Sequence, residues 1–198
     1  MKVVNLFGGP GCGKTGVGWS VAGELKRLGY KIEFVPEYVK DIVYDDTSDK
    51  TMNEGFSSGR LSDQQHIFSE QHRRLKRVSN KVDIVITDGP LFNSIVYSGK
   101  GEDNKHFHSL VMHEFNKYDN LNYLLKRSTI YKQEGRYQDE AGAIAVDEEV
   151  SRCFHYFKLK HKNIDLPVAI HQIIADLYPR LQMQECPRCG AAEMCSDC

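Results

Sequence analysis

The sequence predicts an α/β protein: a parallel sheet covered by helices on both faces. Three observations carry that prediction. Short apolar runs alternate with longer amphipathic stretches along most of the chain. The runs are mostly apolar, as expected of parallel strands buried on both sides. A glycine-rich segment from Gly8 to Gly13 joins the first run to the first amphipathic stretch.

The elements follow in order. Val3 to Phe7 reads as the first strand. Lys14 to Leu28 reads as a helix, with Val17, Val21, Leu25 and Leu28 at spacings of four, four and three. Gly29 ends it. Ile32–Val35, Val82–Thr87, Asn122–Leu125 and Pro167–Ile170 read as strands two to five. Strands separated by helices imply right-handed crossovers. Between strands two and three, Asp45 to Asp63 is polar and rich in Ser, Gly and Asp, and reads as a loop. Ser62 then opens a helix, with Gln65 three residues on as a capping box. Ile67, Phe68, Leu75 and Val78 form its apolar side. Arg73, Arg74, Lys76 and Arg77 on the same helix form either a solvated face or an anion-contacting rim. A further helix is expected around Ala141 to Lys160. Residues 1–180 read as one domain and 181–198 as a Cys-rich tail.

Composition narrows the class. The chain has 198 residues, 40% hydrophobic and 27% charged, which excludes a disordered chain, a fibrous repeat or a disulfide miniprotein. The formal net charge of −1 argues against nucleic-acid binding by bulk charge alone, while leaving room for a local basic patch. No apolar run approaches the ~20 residues needed to span a bilayer. The apolar start, Met1 to Phe7, is too short for a signal peptide. The expectation is therefore a cytoplasmic protein without membrane attachment. Of six cysteines, Cys12 and Cys153 stand alone and four crowd into the last thirteen residues.

The residues Gly8, Gly9, Pro10, Gly11, Cys12, Gly13, Lys14 and Thr15 match G-x-x-x-x-G-K-[ST] at every position, with Gly16 just inside the helix. Glycines let the backbone wrap an anion so that several N–H groups point inward. The helix starting there adds its positive end. Lys14 supplies a charge to the β- and γ-phosphates, and Thr15 offers a hydroxyl to Mg²⁺. This is a P-loop, and ATP with Mg²⁺ is the expected nucleotide.

Other chemistry is placed relative to this loop. Asp88 ends the third strand, where a P-loop protein holds its Mg²⁺ shell; the alternative is a cap of the next segment. Glu37 follows the second strand and would face the same crevice, able to accept a proton from an attacking hydroxyl or orient it. Otherwise it is an exposed loop acid. Asp41, one turn on, competes for that role. After the fourth strand a polar, basic stretch, residues 127–140, reads as a lid. On it Arg127 and Arg136 would neutralise the transferred phosphoryl group, or would be ordinary surface charges.

With these residues placed, the chain resembles P-loop kinases of the thymidylate kinase and deoxynucleoside kinase type. Glu37 in Val-Pro-Glu-Tyr-Val resembles their acidic motif after strand two, Asp88 in Thr-Asp-Gly-Pro their aspartate-arginine motif, and Arg127 to Arg136 their lid. The resemblance implies the P-loop NTPase fold, a three-layer α/β/α arrangement with strand order 2-3-1-4-5. It also implies a base-binding role for Gln64 or Gln65 and Phe68, and an acceptor side that includes Tyr38 and Arg73. The chain departs from thymidylate kinases in having no Arg after Asp88, and Pro10 and Cys12 in the first loop. Strings such as Asn-Leu-Phe-Gly-Gly-Pro-Gly, Glu-Tyr-Val-Lys-Asp, Ile-Thr-Asp-Gly-Pro-Leu and Gly-Arg-Tyr-Gln-Asp-Glu are similar to small kinases encoded by bacteriophages. Some of these phosphorylate 5-hydroxymethyluracil in phage DNA. Ribosylnicotinamide kinases share a similar lid and compete.

Cys186-Pro-Arg-Cys189 and Cys195-Ser-Asp-Cys198 form two C-x-x-C pairs. Four thiolates can close a tetrahedral structural zinc site; the alternative is a disordered thiol tail. The leading expectation is ATP·Mg²⁺-dependent phosphoryl transfer to a hydroxyl of a nucleoside-like group. The favoured acceptor is 5-hydroxymethyluracil in DNA, the runner-up a free nucleoside or nucleotide. A nucleotide-dependent switch or ATPase that binds a partner is the competing class. The oligomeric state stays open, a homodimer included.

Overall fold

In the computed structural model, which describes residues 1–45, 61–99, 104–127 and 140–181, the strands form one all-parallel sheet. The elements are β1 (Lys2–Phe7), α1 (Lys14–Arg27), β2 (Ile32–Val35), α2 (Tyr38–Asp45), α3 (Leu61–Val78) and β3 (Ile84–Thr87). They continue with α4 (Asn93–Ser98), α5 (Lys105–Phe115), β4 (Asp119–Lys126), α6 (Glu140–Tyr156), β5 (Lys162–Asp165) and α7 (Leu166–Leu181). The strand order is β2-β3-β1-β4-β5, as the resemblance to P-loop kinases implied.

Alternation along the strands sends apolar side chains to both faces. Val4, Leu6, Phe34, Ile86 and Leu125 pack with Val21 and Leu25 of α1 and Ile173 and Leu177 of α7. Val3, Phe7, Val35 and Val85 face the opposite way, onto Phe68 and Leu75 of α3, Phe115 of α5 and Phe154 of α6. Phe7 meets Phe154 edge-on with ring centroids 4.7 Å apart. Both layers cover β1, so the loop that follows it is held on a rigid base.

Helix α1 closes as its sequence predicts. Gly29 is left-handed at φ 91°. Its N–H reaches the Lys26 carbonyl, and the Tyr30 N–H reaches the Leu25 carbonyl, at 3.0 and 3.2 Å. That is a Schellman closure, which satisfies the last carbonyls of the helix. Helix α6 ends the same way, with Lys158 at φ 51° in the glycine position, so it stops at Tyr156 rather than running to Lys160.

The fifth strand lies elsewhere than expected. Pro167–Ile170 belongs to α7, and β5 is Lys162–Asp165. A short apolar run does not distinguish strand from helix. Here the run continues at helical spacing through Ile173, Ile174 and Leu177, and Pro167 sits in the first helical turn, where a missing N–H costs nothing. The true β5 is a polar edge strand in which only Ile164 is buried. Ser62 falls within α3 rather than ahead of it as a cap. The polar stretch of residues 46–60 lies outside the described residues, as do most of the expected lid, Arg136 included, and the tail with Cys186, Cys189, Cys195 and Cys198.

Candidate functional site at the carboxyl edge of the sheet

The first three strands end at one edge, and each is followed at once by a residue that matters. β1 leads into the glycine loop, where Gly11 and Gly13 take φ of 82° and 88°. Side chains rarely adopt these angles, so the sequence can turn this tightly only with glycine. β2 leads through Pro36 to Glu37, and β3 ends against Asp88. Parallel strands gather such residues because all their carboxyl ends lie on one side.

Asp88 is fully buried, and both its oxygens are engaged. Oδ2 accepts from the Thr15 hydroxyl at 2.5 Å and from the Lys40 ammonium at 2.8 Å. Lys40 also donates to Thr15 Oγ1. Oδ1 accepts from the Glu37 backbone N–H at 2.9 Å. The two residues expected to hold Mg²⁺ therefore meet, and a cation already sits on their oxygens. That donor set suits a hard divalent ion, which typically takes one or two protein oxygens and completes its shell with water and phosphate.

Gly89 makes this approach possible. A Cβ built there would lie 2.8 Å from Glu37 Cα. The missing arginine after Asp88 has the same explanation: the β2 corner leaves no room for a side chain. Gly89→Ala is expected to cost about 1–3 kcal/mol by forcing the two corners apart. Gly23→Ala, with nothing within 4 Å on exposed α1, serves as the reference. It should gain about 0.5–1 kcal/mol. Thermal melts of both variants check the contrast; equal effects would refute the close-approach argument.

Glu37 is half-buried, and burial pushes its carboxyl above the ordinary carboxylate value. Lys14 pulls it back down, the Asp88 carboxylate pushes it up, and Lys40 pulls it down. Its neighbours are thus the residues of the phosphate and metal side. Asp41 is differently placed: it is ion-paired to Arg74, which also lies 4.9 Å over the Tyr38 ring. Of the two candidate acids, Glu37 is the one grouped with Lys14 and Asp88.

Lys14 Nζ donates to the carbonyls of Gly8 and Gly9 at 2.6 and 3.0 Å. Arg127 follows β4, as expected, but its guanidinium is turned onto the loop itself. It donates to the Pro10 carbonyl at 2.9 Å and forks onto Asp147 of α6 at 2.9 and 3.0 Å. Asp147 in turn accepts from the Gly9 N–H. Arg127 and Asp147 together brace the glycine loop against α6.

The expected acceptor-side residues do not all converge. Gln64 is buried and Gln65 exposed. Phe68 is core, stacked on His72 and edge-on to Phe107. Arg73 is exposed and paired with Glu70. Tyr38 lies at the β2 corner, its hydroxyl 3.0 Å from His66 Nε2.

Four residues of this site carried no signal on their own. Lys40 and Asp147 are described above. Gln71, buried on α3, accepts from the Tyr38 N–H at 2.9 Å and donates to the Pro36 carbonyl at 3.3 Å, fixing the β2 corner. Tyr97 of α4 has its phenol pushed far above the ordinary range, first by burial, then by Glu37, Cys12 and Asp147 in that order. A polar residue on a helix gives no hint of which strand edge it reaches.

The fold and the loop together define a nucleotide-binding P-loop NTPase domain. The family model described as AAA domain matches residues 3–184, and the chain belongs to that family. No curated protein sequence matches the chain. Among solved structures, it is similar to NadR protein in complex with NR, at TM-score 0.68 and 18% identity over 90% of this chain and 50% of that one. It is also similar to NadR protein in complex with NAD and AMP-PNP, at TM-score 0.64 and 19% identity over 98% of this chain and 51% of that one. The chain thus spans about half the length of the NadR chains it matches. Among the described residues no helix is long and apolar enough to cross a membrane.

Proposed function

We propose that this protein is an ATP- and Mg²⁺-dependent kinase that transfers the γ-phosphoryl group to a hydroxyl of a nucleoside-like acceptor. The observation that carries the reading is the grouping of Glu37 with Lys14, Thr15 and Asp88 at one strand edge. A switch or ATPase needs a phosphate loop and a metal acid. A carboxylate beside them can also accept a proton from an attacking hydroxyl or orient it, which favours a kinase.

In this reading Lys14 and the N–H groups of the glycine loop hold the β- and γ-phosphates. Thr15 and Asp88 would hold the metal, which would supply positive charge against that developing on the transferred phosphoryl group. Glu37 orients the acceptor hydroxyl and takes its proton as the new oxygen–phosphorus bond forms and the bond from the γ-phosphorus to the β-phosphate oxygen breaks, ADP leaving. Arg127 steadies the loop, and Arg136 of the lid segment is the candidate for the charge spread over the transferred phosphoryl oxygens.

Two acceptors are in view, each with its own support. The 5-hydroxymethyl group of 5-hydroxymethyluracil in DNA rests on the resemblance of short sequence strings to bacteriophage kinases. A free nucleoside is supported by the likeness to NadR holding NR. Incubation with γ-labelled ATP and a panel of nucleosides, nucleotides and 5-hydroxymethyluracil DNA separates them by which species carries the label. Label on none of them would refute the nucleoside-like acceptor.

A further inference from the structure

Lys40 has no place in the chemistry above, yet its ammonium sits on the two oxygens that would receive the metal. It donates to Thr15 Oγ1 and lies 2.8 Å from Asp88 Oδ2. An ammonium and a divalent cation compete for the same lone pairs. Asp88 is 0% exposed at its side chain, so its charge needs a cation beside it. The phosphate-loop lysine does not serve, since Lys14 is turned onto the Gly8 and Gly9 carbonyls. Lys40 differs from its partner in one respect: its side chain is 39% exposed, which leaves its stem a route out to solvent.

We propose that Lys40 is a built-in counter-cation of the metal position. It holds Thr15 and Asp88 together while nucleotide is absent, and is displaced when the divalent ion arrives with the nucleotide. The role is a positioning one, and it rests on the kinase reading only in requiring a metal at Thr15 and Asp88. Two consequences follow. The nucleotide-free protein binds divalent ions weakly, because each must first expel a tethered competitor. Metal loading is also felt at the acceptor corner, since the Lys40 backbone N–H bonds the Glu37 carbonyl at 3.3 Å. Freeing the Lys40 side chain removes the tie between α2 and the metal acid.

Mn²⁺ serves as the spectroscopic probe, titrated into the 198-residue wild type, Lys40→Met and Lys40→Arg, with and without AMP-PNP. Lys40→Met keeps the stem but loses the charge, and should bind Mn²⁺ alone about tenfold more tightly or better. Lys40→Arg keeps the charge and should stay within a few-fold of wild type. Unchanged or weaker Mn²⁺ affinity in folded Lys40→Met would overturn the proposal, as would a gain of the same size in Lys40→Arg. Should Lys40→Met not fold, the wild type answers by lysine side-chain NMR. A protected Lys40 ammonium signal should vanish with Mg²⁺ and AMP-PNP, but persist with AMP-PNP and chelator. Persistence in both refutes displacement. If AMP-PNP binds the wild type no better with metal than without, this inference and the kinase reading fall together. If metal does strengthen AMP-PNP binding but Lys40→Met gains nothing, only this inference falls.

Discussion

A Glu37→Gln protein is expected to lose phosphoryl transfer by about 10²–10⁴-fold while binding ATP as the wild type does. The substitution keeps the shape of the side chain. It also keeps the backbone N–H that Glu37 donates to Asp88, so the metal acid stays oriented. Only the basic carboxylate is removed. Phosphoryl transfer passes through a loose transition state, so the loss sits toward the low end if little proton transfer has occurred there. The raised carboxyl pKa adds a second readout. A base must be unprotonated to act, so turnover should rise with pH through a limb displaced above the ordinary carboxylate value. That limb should be absent in Glu37→Gln. Slow hydrolysis of ATP by water should hardly change. Equal losses of hydrolysis and transfer would instead place Glu37 in the metal shell.

Lys14→Ala is expected to lower turnover by about 10²–10³-fold, or ~3–4 kcal/mol, because its charge is met most fully as the phosphoryl group transfers. Lys14 is partly exposed and, among the contacts described, bonds only groups of its own loop, the Gly8 and Gly9 carbonyls and Cys12 Sγ, so the variant should fold and melt near the wild type. Single-turnover kinetics on a variant shown to be folded check this. Unchanged turnover would be incompatible with a phosphate-binding role for the loop.

The parts of this site that could be read from sequence are those fixed by local backbone chemistry. Gly11 and Gly13 are needed wherever the chain turns through positive φ, and the strand before them and helix after them complete the pattern. Asp88 could be placed because it ends an apolar strand. The same local reasoning failed at Pro167–Ile170, where four apolar residues gave too short a window to separate a strand from the start of a helix. The contacts that finish the site join residues far apart in the chain: Thr15 to Asp88 across 73 positions, Gly9 to Asp147 across 138. Lys40, Gln71, Tyr97 and Asp147 lie on helices where polar residues are ordinary. Only the packing of those helices on the sheet brings Asp147 to the loop, Lys40 to Asp88 and Gln71 to the β2 corner. Gly89 is a mixed case: the departure from an arginine was visible, but its cause, the backbone of Glu37, was not.

In the proposed kinase the crevice directs the γ-phosphoryl group onto an acceptor hydroxyl rather than onto water. Single-turnover partition of label from γ-labelled ATP, measured with acceptor present and absent, tests it most directly. Most of the label is expected to join the acceptor when one is supplied, and release of free phosphate to be slow without it. Rapid release of free phosphate, at the same rate with and without every acceptor offered, would contradict it and assign the domain to ATP hydrolysis.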